Sequence, residues 1–76
     1  MPTPAERISK DIMLFEKNDA EISSKHLDYN QEKIIKLARM YANDSRSFLE
    51  KGDLYTAFSC ISYAHGLLDA ILKLNE

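Results

Sequence analysis

Apolar and polar positions recur along this chain with a helical period, except over residues 19–28, where there is little periodicity. Ala5, Ile8, Ile12 and Phe15 fall on one face at helical spacing. Thr3-Pro4-Ala5-Glu6 precedes that stripe as a start signal, with Thr3 able to cap, Pro4 suited to the first helical position and Glu6 placed for a capping box. Asp19 would continue the stripe and breaks it, so the pattern predicts a first helix over about 4–18. Residues 19–28 then read as a connector pinned to the core by Ile22 and Leu27. Met13 and Leu14 lie off the stripe, and a single core face does not explain them.

Asp28 with Gln31 forms a second capping signature and opens a helix over about 29–51. Its expected apolar side carries Ile34, Ala38, Tyr41, Ala42, Phe48 and Leu49, a stripe roughly 120° wide at 100° per residue. Gly52-Asp53 is the clearest punctuation in the chain. Glycine tolerates the left-handed backbone just past a helix end, and Asp53 suits the N-cap of the next helix. So short a turn makes the flanking helices antiparallel neighbours.

The third helix, predicted over about 54–74, differs in kind. Ser59, Ser62, Gly66, Asp69 and Lys73 follow one another at spacings of three, four, three and four, forming one narrow strip. The remaining ~240° of the helix is almost wholly apolar by the same projection. One packed neighbour cannot cover that arc. Two helices of the same chain cover most of it, and a partner chain would cover the rest. Strand signals and internal repeats are absent, so the expected fold is all-α: a single domain over 1–76, a three-helix bundle running up-down-up with helices 2 and 3 as its long central pair.

Composition narrows the functional classes. A chain of 76 residues buries only ~60% of the surface its unfolded form exposes and needs help to be stable. An internal disulfide is excluded because Cys60 is the only cysteine, and it reads as a small buried hydrophobe. His26 and His65 lack partners at ligand spacing, so neither a metal nor any other cofactor is expected. That leaves helix packing and association: a homo-oligomer, a dimer in the simplest case, or a protein partner. The net charge of −2 argues against a dedicated nucleic-acid binder. No apolar run approaches the ~18 residues of a membrane span, and the first residues lack the apolar stretch of a secretory signal. The expected protein is soluble and cytoplasmic.

Candidate chemistry is sparse. His65 and Asp69 stand four apart and meet on one helical surface. They read either as an oriented imidazole for acid–base work or as a local pair at the core edge. Ser62 is near them, but three side chains abreast on one helix do not converge as a catalytic triad must. Gly66 costs about 1 kcal/mol relative to alanine in a helix interior. Close approach by another helix or by a partner chain would offset that cost, so the strip reads either as a packing groove or as a solvent face. Tyr41, Asp44, Tyr55 and Tyr63 offer polar tips to an inter-helix pocket, or ordinary core tyrosines with their hydroxyls at the surface. Lys36, Arg39 and Arg46, with Asn43, line what reads as the outer face of helix 2, where Glu32 and Glu50 dilute their field. No catalytic set emerges, and enzyme activity is not expected. The candidate interaction or ligand patch is Tyr41, Asp44, Ser62, Tyr63, His65, Gly66 and Asp69.

The run FLEKGDLYTAFSCISYAHGLLDAILKL, from Phe48 to Leu74, resembles the signature of a family of short archaeal proteins classed as a domain of unknown function. Tyr41 and Asp44 upstream, Leu49, Gly52-Asp53, Ala57-Phe58 and the block from Ser62 to Ala70 carry the resemblance. It implies a compact three-helix bundle of archaeal origin and brings no activity with it. A looser similarity, in the Gly-Asp turn followed by alanine and aromatics, is to HEPN-like helical domains. Their RNA-cleaving members carry Arg four to six residues before His, and neither His65 nor His26 has one. The alternative to an interaction module is therefore a HEPN-like ligand- or nucleic-acid-binding domain without ribonuclease activity.

Overall fold

The computed structural model describes all 76 residues and contains three helices: α1 (Pro4–Ile22), α2 (Tyr29–Glu50) and α3 (Leu54–Leu74). They form an all-α, up-down-up bundle in which α2 and α3 make the most extensive contact.

Each helix start is fixed by local chemistry. Thr3 has an extended backbone, and its Oγ1 accepts from the Glu6 N–H at 3.1 Å, with Pro4 at the first position. Glu6 does not bond back, so this is half of the expected capping box. Asp28 forms the complete box: it accepts from the Gln31 N–H at 2.8 Å while its own N–H donates to Gln31 Oε1 at 3.3 Å. At the α2–α3 turn Gly52 has φ +83°, the left-handed value that glycine adopts without strain. The Asp53 N–H donates back to the Phe48 carbonyl at 2.9 Å, and the Gly52 N–H to that of Leu49 at 3.1 Å, which closes α2. Asp53 then caps α3 by accepting from the Thr56 N–H at 3.1 Å.

Helix α1 does not end at residue 18. It continues through Asp19 to Ile22, because the charge that seemed to interrupt the stripe is paired across the bundle. Arg39 Nε donates to both Asp19 carboxylate oxygens at 3.0 and 2.9 Å, and Arg39 also donates to Ser23 Oγ at 3.2 Å. Beyond Asp19 the core stripe resumes one turn later at Ile22, which is fully buried. Met13 and Leu14 face water.

The core consists of Ile8, Ile12, Phe15 and Ile22 from α1, Ile35, Ala38 and Ala42 from α2, and Ala57, Ile61, Ala64, Leu68 and Ile71 from α3. In α2 the inward isoleucine is Ile35, not the expected Ile34, which is about one-third exposed. The buried row Ile35, Ala38, Ala42 and Ser45 follows the 3,4,3 spacing of a core face, whereas Ile34 stands 100° to one side of Ile35. Ser45 is buried among these small residues and donates to the Ala57 carbonyl at 2.6 Å. Small side chains on both facing helices allow the two backbones to lie close together.

Candidate interaction surface

The bundle has two sides, because α1 covers only one of them. On α2, Arg39, Ala42, Asn43 and Arg46 face α1 across a small cleft with Phe15, Glu16 and Asp19. Arg39 is ion-paired with Asp19 at 2.9 Å, Arg46 with Glu16, and Arg46 also donates to Asn43. The pairing with Asp19 raises the Arg39 pKa further. These arginines therefore lie against α1 and not on an outer face, and both have intramolecular carboxylate partners. Of that basic stripe, Lys36 makes no ion pair.

On α3, His65 also turns toward α1. Its Nε2 lies 2.7 Å from the Asp11 carbonyl oxygen, and its ring packs edge-on against Phe15 at 5.8 Å. A carbonyl only accepts, so Nε2 carries the proton and donates. The imidazole ties α3 to α1. It is not bonded to Asp69, which is exposed. The expected His65–Asp69 pairing is thus replaced by a tether to a backbone carbonyl.

The strip of Ser59, Ser62, Gly66, Asp69 and Lys73 is exposed along its length. Nothing lies within 4 Å of where a Cβ on Gly66 would stand, so no helix of this chain approaches it. Within a single chain the strip is a solvent face.

On the side away from α1, Tyr41 and Tyr63 come together edge-to-face with ring centroids 4.6 Å apart. Helical projection places Ile34, Leu37 and Phe48 on the same flank of α2 as Tyr41. It places Cys60, Leu67, Ala70 and Leu74 on the same flank of α3 as Tyr63. Leu37, Ile34, Tyr63, Ala70 and Leu74 are exposed, while Tyr41, Phe48, Cys60 and Leu67 are half-buried. The result is one continuous apolar face across two helices. The half-buried Cys60 thiol is pushed up in pKa, first by burial and then by the nearby charges of Asp44 and Asp53. A raised thiol pKa keeps the sulfur protonated and weakly nucleophilic at neutral pH.

The seven patch residues thus divide among three surfaces. Tyr41 and Tyr63 join on the open face, with exposed Asp44 in the same row of α2 as Tyr41. Ser62, Gly66 and Asp69 lie on the solvent strip, and His65 faces α1. The members of the open face that sequence reasoning left out are Ile34 and Leu37 as surface residues, Ala70 and Leu74. Their signal was present in the wide apolar arc of α3, but which half of the arc α1 covers depends on the three-dimensional packing. The largest cleft, about 490 Å³, lies at the other flank between the starts of α1 and α3, where Ile8, Arg7, Leu54 and Phe58 contribute to its walls. It contains none of the seven. No three His, Cys, Asp or Glu side chains converge as metal ligands, and no helix is long and apolar enough to cross a membrane.

Fold and surface together define a small antiparallel helical bundle with one uncovered apolar side. The chain belongs to the family described as Protein of unknown function (DUF357), whose model matches residues 10–75 and so takes in the greater part of α1 with the whole of α2 and α3. No curated protein matches it.

Proposed function

We propose that this chain is a non-catalytic interaction module that docks another polypeptide on the face of α2 and α3 turned away from α1. The observation that carries this reading is the row of exposed apolar side chains, Ile34, Leu37, Tyr63 and Leu74, flanking the Tyr41–Tyr63 contact. Single exposed hydrophobes are ordinary, but a contiguous apolar face that joins two helices is the usual mark of a protein contact site. The engaged state of Arg39 and Arg46 weighs against a nucleic-acid surface, because each guanidinium would have to leave a carboxylate to meet a phosphate. The raised Cys60 thiol weighs against a nucleophilic role for that sulfur.

Site-specific photo-crosslinking in living cells tests the reading. A benzophenone residue placed at Leu37 should give a discrete adduct, and one placed at Lys17, on the outer side of α1, should give none. No adduct from Leu37, or the same pattern from both positions, would overturn it.

A further inference from the structure

We propose that the occupant of this face is a second copy of this chain, the two copies joined about a two-fold axis with Tyr63 and Leu37 near its centre. The inference rests on the interaction-module reading and names its partner.

Charge comes first. From Leu54 to Leu74, α3 carries only Asp69 and Lys73, and both lie on the strip that borders the open face. On the α2 half, exposed Asp44 stands in the row of Ile34, Leu37, Tyr41 and Phe48 and is the one charge in that row. A face with so little charge needs a mostly apolar complement. The face itself is such a complement.

Area comes second. A large apolar or aromatic side chain offers on the order of 150–250 Å² when free. At exposures of 36% for Ile34 and Leu37, 49% for Tyr63 and 71% for Leu74, with Ala70 and the partly covered Tyr41, Phe48 and Leu67, one copy presents roughly 500 Å². Two such faces remove about 1,000 Å² from water, the lower bound for a specific interface. That size is typical of a weak, reversible contact that dissociates on dilution.

Shape agrees with a symmetric pair. The Tyr63 ring is half-exposed and edge-packed on Tyr41, and the small residues Ser59 and Gly66, four before and three after it, leave open space beside it. An aromatic ring beside small residues on one helix suits an isologous contact, each copy's Tyr63 lying over the other's Ser59 and Gly66. A buried aromatic anchor of this kind carries a large share of binding energy.

Sedimentation equilibrium on the purified chain, from about 5 to about 500 µM, reads the outcome. The mass should rise from 8.7 kDa toward twice that value, and the melting temperature should rise with concentration. Tyr63→Glu and Leu37→Glu alter exposed positions. Each should keep the helical circular dichroism of the parent at low concentration and weaken association at least ~10-fold, while Lys17→Glu should leave the mass unchanged. A mass of 8.7 kDa at the highest concentration overturns the inference, as does a dimer indifferent to both glutamate variants. A monomer in solution with a discrete heterologous adduct from Leu37 in cells overturns the second copy and leaves the interaction module standing. A monomer with no adduct overturns both.

Discussion

Ser45 Oγ donates to the carbonyl oxygen of Ala57 at 2.6 Å, a polar bond wholly enclosed by the α2–α3 contact. It joins the only buried polar side chain of the core to the first core residue of α3, close to the turn that reverses the chain. Ser45 lies in line with Ala38 and Ala42, and the helix opposite presents Ala57 and Ala64. The pair thus packs through small residues.

Ser45→Ala should therefore cost only the net worth of a buried hydrogen bond, about 1 kcal/mol, because no donor is left stranded when the hydroxyl is removed. Ser45→Leu should cost more, about 1–3 kcal/mol or above, since a fully enclosed position has no room for three more carbons. Urea unfolding of the two variants beside the parent measures both. A leucine variant as stable as the parent would mean that the helices separate without penalty.

The last turn of α1 yields a sharper contrast. Ile22 is fully buried, so Ile22→Ala should destabilise by about 2–5 kcal/mol, a large part of the total stability of a chain this size. Met13→Ala, at an exposed position of the same helix, should stay within about 0.5 kcal/mol of the parent. Equal effects from the two, read by thermal melts, would place the end of α1 before Ile22.

Acid should loosen the start of α3. Hydrogen bonds from Thr56, its side chain first and its backbone N–H second, hold the Asp53 carboxyl below its ordinary pKa. A group whose pKa is depressed by folding stabilises the folded state above its unfolded value, and loses that contribution as pH falls through the folded one. The contribution is thus complete at neutral pH and is lost in acid, as pH falls through the ordinary carboxylate range and then through the lower folded-state pKa. Asp53→Asn keeps an oxygen for the Thr56 N–H but has no proton to gain. Its melting temperature should fall less steeply than the parent's over that window. Parallel curves would remove Asp53 from the acid response.

What could be read from the sequence divides along physical lines. Thr3-Pro4, Asp28 with Gln31, and Gly52-Asp53 were legible because a cap is built from residues three or fewer apart. Asp19 misled because its partner Arg39 lies 20 residues away on another helix, and a charge within an apolar stripe reads as a stop until that partner is known. Ile34 and Ile35 are adjacent and equally apolar, so only the packing against α1 and α3 decides which of them turns inward. Ser45 was passed over because a polar residue within a stripe resembles an interruption, although its bond to Ala57 makes it part of the core. His65 paired with Asp69 on spacing alone, whereas its actual acceptor, the Asp11 carbonyl, is 54 positions away and carries no side-chain signature. The width of the apolar arc on α3 was visible from the start. That part of it remains uncovered followed only from the placement of α1.

Gly66 separates folding from association in one position. Glycine within a helix is about 0.5–1 kcal/mol worse than alanine, and nothing in the chain occupies the space a Cβ would take. Gly66→Ala should therefore stabilise the dilute chain by that amount, raising the melting temperature by roughly 2–8 °C for a domain of this length. Gly66→Leu should likewise fold, since the open space that admits a methyl also admits a longer side chain reaching into water. Its effect belongs to concentrated solution, where a leucine fills the open space beside Tyr63 and should weaken self-association. Melts at low concentration and mass measurements at high concentration on the same two variants read the two effects apart. A destabilised alanine variant in dilute solution would show that a neighbour within the chain approaches Gly66 after all.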